Sequence, residues 1–463
     1  MAKITRPKAD DTMNIIIVGC GKVGQNLAEQ LNEQGHNITV IDSSPVTVKE
    51  VSARLDIMGV VGNGATHAIQ QEAGIASADL LIAVTGSDEL NLLCCLIAKK
   101  SHDCQTIARV KHPEYSTDAA YFKDELGLGM VINPEHAAAE EIARVLRFPS
   151  AMKIDTFAGG QVELLKFRLP EQSPLVGLAV KDVVSRLHCN VLICTVERGE
   201  NAYIAKGNLV FEGKDVISLI ASPRSAGEFF GKINYKTHSV KDVMVAGGGD
   251  TTHYLCEILR HTGIKVKVIE KKAEVCNELC ALFPGASIIH GDAGDRDTLL
   301  EEGLAATGAF VALTNLDEEN ILLSLYAKSA GKGKIITKIN RFDFDDVVRH
   351  LDLDSIIYPK NIASDMIVRF VRAMQNTIGT NVETLYNIIK GKVEASEFIV
   401  KQESAITGIP LSQLKFKNNV LIAAILRDRQ VIIPRGYDEI RIGDRVVIVS
   451  ELMPLHDITD VLK

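Results

Sequence analysis

The sequence predicts an α/β protein: two doubly wound, Rossmann-like parallel-sheet domains, each followed by a small α+β domain. Three observations carry that expectation. A glycine-spaced turn separates a short apolar strand from an amphipathic helix within residues 14–31. Apolar strands then alternate with helical segments, the order that builds a parallel sheet covered on both faces. The same pattern restarts at residues 242–249 and runs again in the same order.

Residues 15–18 are Ile-Ile-Ile-Val, a β-branched run suited to a fully buried strand. Gly19, Gly21 and Gly24 follow as GxGxxG, with Cys20, Lys22 and Val23 between them. Gly19 permits the tight turn, Gly21 lets the backbone approach a pyrophosphate, and Gly24 lets the helix lie close on the strand. Val23, Leu27 and Leu31 continue at helical spacing. A second strand, residues 38–41, ends in Asp42, whose carboxylate suits ribose hydroxyls. Glycines in this pattern also serve as a plain βα turn. Strand, helix and distal acid together favour a dinucleotide or adenine-nucleotide site.

Further strands are expected at residues 57–61, 80–84, 106–110 and 130–132, with helices over about 90–99 and from Pro134 to about 148. Their carboxyl ends carry Asn63 and Gly64, Thr85 and Gly86, and Arg109, where ligands bind on such sheets. Arg109 fits a surface salt bridge or a phosphate contact; its alignment with the other strand ends favours phosphate. Asp88 and Glu89 read first as carboxylates that suit a helix N-terminus.

Near Pro149 the pattern changes to short strands (162–167, 191–196, 216–220) and turn signals. Then the chain repeats itself. The offset that carries Gly19 to Gly247 also carries Asp42 to Glu270. With one more residue, Thr85 matches Thr314, Asn91 matches Asn320 and Arg109 falls on Lys338. The expected organisation is a loose tail (1–12), a first nucleotide-binding domain (13–148), a first small domain (149–232), a second large domain (239–376) and a second small one (381–463). The repeat changes Lys22 to Asp250 and Gly24 to Thr252. A threonine crowds helix against strand and an aspartate disfavours an anion, so pyrophosphate should prefer the first half. Glu270 remains able to hold an adenosine ribose. Ile362, Met366, Ile367, Phe370, Val371 and Met374 form an apolar stripe that fits either its own domain's core or a subunit interface.

The chain has 463 residues, 46% hydrophobic and 24% charged, as for ordinary globular domains. A net charge of −8 argues against a nucleic-acid partner. No apolar stretch approaches the ~18 residues of a spanning helix, and residues 1–12 lack the apolar core of a secretion signal. Nine cysteines and twelve histidines show no metal-ligand spacing, which fits a reduced setting without a metal. No proton donor or acceptor stands beside the expected site, so a binding protein is favoured over an enzyme. The alternatives are an NAD-dependent oxidoreductase and a nucleotide sensor for some other partner.

These residues resemble the TrkA family of RCK-domain proteins, cytoplasmic regulatory subunits of bacterial Trk potassium uptake systems. The resemblance rests on Gly19-Cys20-Gly21-Lys22-Val23-Gly24, Asp42, Gly62-Asn63-Gly64, residues 84–89, residues 108–110 and, in the repeat, residues 313–320. It covers nearly all of the chain beyond residue 12. It implies that the first fold binds NAD(H) or ADP/ATP as a regulatory ligand through Gly19, Cys20, Gly21, Lys22, Val23, Asp42, Asn63, Gly64, Thr85, Gly86 and Arg109. It also implies a homo-oligomer at the inner face of the cell membrane, partnered with a Trk-type membrane subunit. The chain departs from the family at Asp250 and Thr252.

Overall fold

The computed structural model describes residues 12–117, 119–149, 151–199, 201–233, 240–340, 348, 351, 353–375, 382–389, 392–428, 430–451, 455 and 457–463. The expected tail therefore lies almost wholly outside the described residues.

The first sheet holds β1 (Asn14–Val18), β2 (Asn37–Asp42), β3 (Met58–Val61), β4 (Leu80–Ala83), β5 (Gln105–Arg109) and β6 (Met130–Ile132). Their spatial order is β3-β2-β1-β4-β5-β6, all parallel. β4 is buried at every residue and β1 at all but its first, as expected of β-branched strands covered on both faces. The crossovers are α1 (Lys22–Glu33), α2 (Pro45–Leu55), α3 (His67–Glu72), α4 (Asp88–Ser101), α5 (Pro113–Thr117), α6 (Ala119–Glu125) and α7 (Pro134–Arg147). Ser44, Ser87 and Asn133 cap α2, α4 and α7 with their side chains, two of them ahead of a proline at the first helical position.

A five-stranded antiparallel sheet follows: β7 (Lys153–Phe157), β8 (Val162–Arg168), β9 (Val191–Arg198), β10 (Asn201–Ile204) and β11 (Val216–Ala221), in the order β7-β8-β11-β9-β10, with α8 (Val180–Leu187) and α9 (Pro223–Lys232). β7 and β10 join the three strands expected from sequence.

The second half repeats both sheets. β12 (Asp242–Ala246), β13 (Lys265–Glu270), β14 (Ser287–His290), β15 (Ala309–Ala312), β16 (Lys334–Lys338) and β17 (Ser355–Ile357) take the order β14-β13-β12-β15-β16-β17. Their helices are α10 (Asp250–Leu259), α11 (Ala273–Leu282), α12 (Arg296–Glu301), α13 (Asp317–Ala330) and α14 (Pro359–Gln375). The last sheet, β18 (Val382–Ile389), β19 (Val393–Ile399), β20 (Val420–Arg427), β21 (Gln430–Ile432) and β22 (Arg445–Glu451), has the order β18-β19-β22-β20-β21, the topology of the first small sheet. The two small sheets bury Leu164, Cys194 and Ile220 against Ala395, Ala423 and Val449 in one core.

The halves exchange helices. Ala138, Ala139, Ile142, Val145 and Leu146 of α7 are buried in the core of the second large domain, beside Val243, Tyr254 and Leu255. Ala363, Ile367, Val368 and Val371 of α14 are buried in the first, beside Ile15, Leu27 and Leu31. Of the stripe read from residues 362–374, Ile362 packs on its own half's core, while Met366, Ile367, Phe370, Val371 and Met374 pack on the other half's. The stripe's periodicity shows a buried face and does not say whose core receives it. Fully burying one such aliphatic side chain is worth about 1.5–3 kcal/mol, so the exchange locks the two large domains together.

Candidate functional site

The strand order reverses direction between β1 and β4, and the first cleft lies at the carboxyl ends of these strands. Gly19 has φ +102°, and a Cβ there would lie 3.0 Å from the Thr85 amide nitrogen. A Cβ on Gly24 would lie 1.8 Å from the Gly19 carbonyl oxygen, so only glycine lets α1 start this close. A Cβ on Gly21 would meet nothing within 4 Å. The space before α1 is therefore open. No side chain caps α1, and its first turn has no acidic residue. Its unpaired amides and the positive end of its dipole are left for an anion.

Asp42 closes the turn. Its Oδ2 accepts the Cys20 amide at 2.7 Å and its Oδ1 accepts the Ser44 amide at 2.9 Å. A carboxylate has about four acceptor positions, so both oxygens retain capacity for ribose hydroxyls. The Cys20 thiol is buried; desolvation, then the Asp42 charge, pushes its pKa up to about 12. It is no nucleophile at neutral pH. Lys22 is exposed at the first position of α1, and Val23 is buried beneath it.

The loop after β3 leans on β1: a Cβ on Gly64 would lie 2.3 Å from Val18 Cγ1. Asn63 Oδ1 accepts the Ala65 amide at 2.9 Å, holding that loop as an Asx turn. After β4, Thr85 donates its amide (2.8 Å) and its hydroxyl (2.7 Å) to Asn91 Oδ1, while Asn91 Nδ2 donates to the Arg109 carbonyl at 2.9 Å. Gly86 is exposed, with open space where a Cβ would be. The structure thus gathers Gly19 to Val23, Asp42, Asn63, Gly64, Thr85 and Gly86 on one sheet edge.

Arg109 has a protein partner: its Nη2 lies 2.8 Å from Glu135 Oε1 in the first turn of α7. The salt bridge weighed from sequence is the contact seen. Asp88 is buried, and its Oδ2 accepts the Lys111 and His112 amides at 2.9 and 2.8 Å. Its work is to close the rear loop, beyond the helix-end role expected of it. Glu89 accepts hydrogen bonds from the Ser87 and Tyr115 hydroxyls, which lower its pKa.

The second cleft has the same skeleton. Gly247 has φ +101°, Glu270 accepts the Gly248 and Lys272 amides at 2.6 and 2.7 Å, and Thr314 bonds Asn320 as Thr85 bonds Asn91. It differs in charge. Asp250 stands in the first turn of α10, where it opposes an anion. Lys338 is buried and donates to the Leu313 carbonyl at 3.2 Å; desolvation lowers its pKa. Thr252 does not merely crowd the turn as expected, because its hydroxyl donates to the Gly247 carbonyl at 2.6 Å. The clash becomes a hydrogen bond.

Sequence reasoning noted Asn91 and Asn320 as matched positions without seeing that they fix the threonine turns. Gln70 was missed: buried, it donates to the Gly64 and Cys94 carbonyls at 2.7 and 3.0 Å. The Asn91/Asn320 match was the available signal; no such match marks Gln70.

Comparison with known proteins agrees with this architecture. The TrkA-N domain family matches residues 15–134 and 243–359, and the TrkA-C domain family matches residues 164–234 and 395–462. A Trk system potassium uptake protein TrkA homolog of Methanosarcina mazei is 30% identical, over 95% of this chain and 97% of its own. The Trk system potassium uptake protein TrkA of Halomonas elongata is 30% identical, over 94% and 95%. Among solved structures, the GsuK RCK domain superposes with a TM-score of 0.63 at 16% identity, covering 96% of this chain and 94% of that one. The GsuK channel bound to NAD also gives 0.63 at 16% identity, covering 96% and 78%. At that identity the likeness concerns the fold.

Fold and clefts together define a tandem RCK-type protein, two Rossmann-like domains each carrying a small antiparallel module. The chain belongs to the TrkA family.

Proposed function

We propose that this chain is the nucleotide-binding regulatory subunit of a Trk-type potassium transporter, taking NAD(H) or ADP/ATP in its first cleft. The observation that carries the ligand is the uncapped start of α1: Gly21 leaves the approach open, no first-turn acid opposes an anion, and Asp42 stands beside the turn. Pyrophosphate would lie against residues 19–23 and ribose hydroxyls against Asp42, with Asn63, Gly64, Thr85 and Gly86 along the rim. Arg109 would reach a phosphate only by leaving Glu135. Glu270 supports a weaker adenosine site in the second cleft. Bound nucleotide would act as a signal rather than as a co-substrate: among the described residues, the Asp42 carboxylate is engaged by two backbone amides and Arg109 by Glu135, which suits binding rather than proton transfer.

The names of the relatives, Trk system potassium uptake proteins, support the transporter and its ion; the family resemblance supports a homo-oligomeric, cytoplasmic, membrane-peripheral assembly. Among the described residues no helix is long and apolar enough to cross a membrane, in keeping with a separate pore subunit. Calorimetric titration of the full chain with NADH tests the ligand assignment. Gly21→Asp adds charge in open space and should abolish the binding heat. Unchanged binding in that variant would defeat the assignment.

A further inference from the structure

Tyr254 is buried in the second large domain, yet among the described residues its hydroxyl bonds into the first half. It accepts from Asn133 Nδ2 at 2.8 Å and donates to the Lys111 carbonyl at 2.8 Å. The His136 ring meets it edge-on at 5.1 Å. The Lys111 and His112 amides in turn bond Asp88 Oδ2, and Asp88 opens α4 directly after Thr85-Gly86-Ser87. A path of hydrogen bonds joined by short backbone steps through Lys111 and through residues 85–88 thus runs from α10, whose N-terminus is the second glycine turn, to the rim of the first cleft. The repeat does not mirror it. Asn26, at the matching position of α1, bonds Ser364 of α14 at 3.0 Å and accepts from Gln30 within its own helix. Other hydrogen bonds also join the halves, among them Lys334 to the Ala151 carbonyl and Ser355 to the Met152 carbonyl; the Tyr254 strut is the one that leads toward the cleft with the open phosphate turn.

We infer that Tyr254 is a positioning residue that couples the first nucleotide cleft to the glycine-turn helix of the second half. Ligand in the first cleft would draw in the Thr85–Gly86 rim and, through Asp88 and Lys111, hold α10 more firmly. By linkage, whatever orders α10 would tighten the first cleft. This ligand-driven part rests on the nucleotide reading above; the strut itself does not.

Amide hydrogen exchange on the full-length chain tests both. Tyr254→Phe keeps the buried ring and removes only the hydroxyl. Without ligand, it should speed exchange at residues 110–112 by roughly fivefold, the effect of one neutral hydrogen bond; unchanged exchange there overturns the strut. With NADH, the wild-type chain should be protected at 110–112 and in residues 250–256. Gly21→Asp should lose both effects, which separates first-cleft coupling from direct binding in the second cleft. Tyr254→Phe should bind NADH and keep the first protection but lose the second. Protection of 250–256 that survives in either variant overturns the coupling. Absence of any NADH binding heat in the wild type would instead remove the nucleotide reading, with the ligand-free comparison still deciding the strut.

Discussion

The Asp42 carboxylate closes the first glycine turn by accepting the Cys20 amide at 2.7 Å. In the repeat the pair becomes Glu270 and Gly248, at 2.6 Å. The two changes compensate. A Cβ on Gly248 would lie 3.0 Å from Glu270 Cγ, so the longer acid occupies room that a side chain at the cysteine position would need. A carboxylate held in this way presents fixed negative charge where a 2′-phosphate would sit. NADH should therefore bind at least about tenfold more tightly than NADPH, a difference of about 1.4 kcal/mol. Equal calorimetric affinities would contradict this placement.

Asp42→Ala removes the acceptor of two backbone amides as well as a ribose partner. Hydrogen bonds to a charged group are worth about 1.5–3 kcal/mol. NADH affinity should fall by roughly ten- to a hundredfold, and the denaturation midpoint should drop as well. A variant with wild-type affinity would exclude Asp42 from the site.

The two glycine turns should respond unequally to small substitutions. Gly24→Ala sets a methyl 1.8 Å from a backbone oxygen, so the helix must shift, at a cost above about 2 kcal/mol. Thr252→Val keeps the volume and loses the 2.6 Å bond to the Gly247 carbonyl, costing about 1 kcal/mol. Urea denaturation of the two variants measures both.

Much of this was legible in the sequence. The strand–glycine–helix unit, the distal acid and the constant offset fix the sheets and both clefts, because each depends on local residues. What could not be read was which surfaces meet. The stripe from Ile362 to Met374 has the same period whichever core receives it. Arg109 finds Glu135 across two helices and β6, and Tyr254 finds Lys111 across the halves. Such pairings are fixed by tertiary geometry.

The helix exchange predicts that the halves cannot be separated cleanly. Residues 13–233 alone would leave Ile142, Val145 and Leu146 of α7 without their bed and the first core without Ile367 and Val371. This fragment should self-associate, each copy supplying α7 to its partner. Light scattering that finds a stable, well-folded monomer would contradict the exchange.

Glu141 of α7 gives a pH prediction. Burial, aided by the Asp155 charge and opposed by Lys153, pushes its carboxyl from near 4.5 up to about 7. The folded protein then holds a proton that the unfolded chain releases, so stability from this group falls as pH rises from about 4.5 to about 7 and is flat above. Aligning the prolines that open α7 and α14 places Met366 at the matching position. Glu141→Gln should remove that slope, worth on the order of 3 kcal/mol across the window. Denaturation of both proteins between pH 4.5 and 8 isolates it by difference.

Nucleotide bound to this chain should set potassium flux through a separate membrane subunit. The most direct test of this is flux through the cognate Trk membrane subunit, reconstituted in vesicles with and without the chain. Flux should depend on NADH, ADP or ATP only when the chain is present, and Gly21→Asp should erase that dependence. Flux indifferent to the chain and to nucleotide would contradict the account.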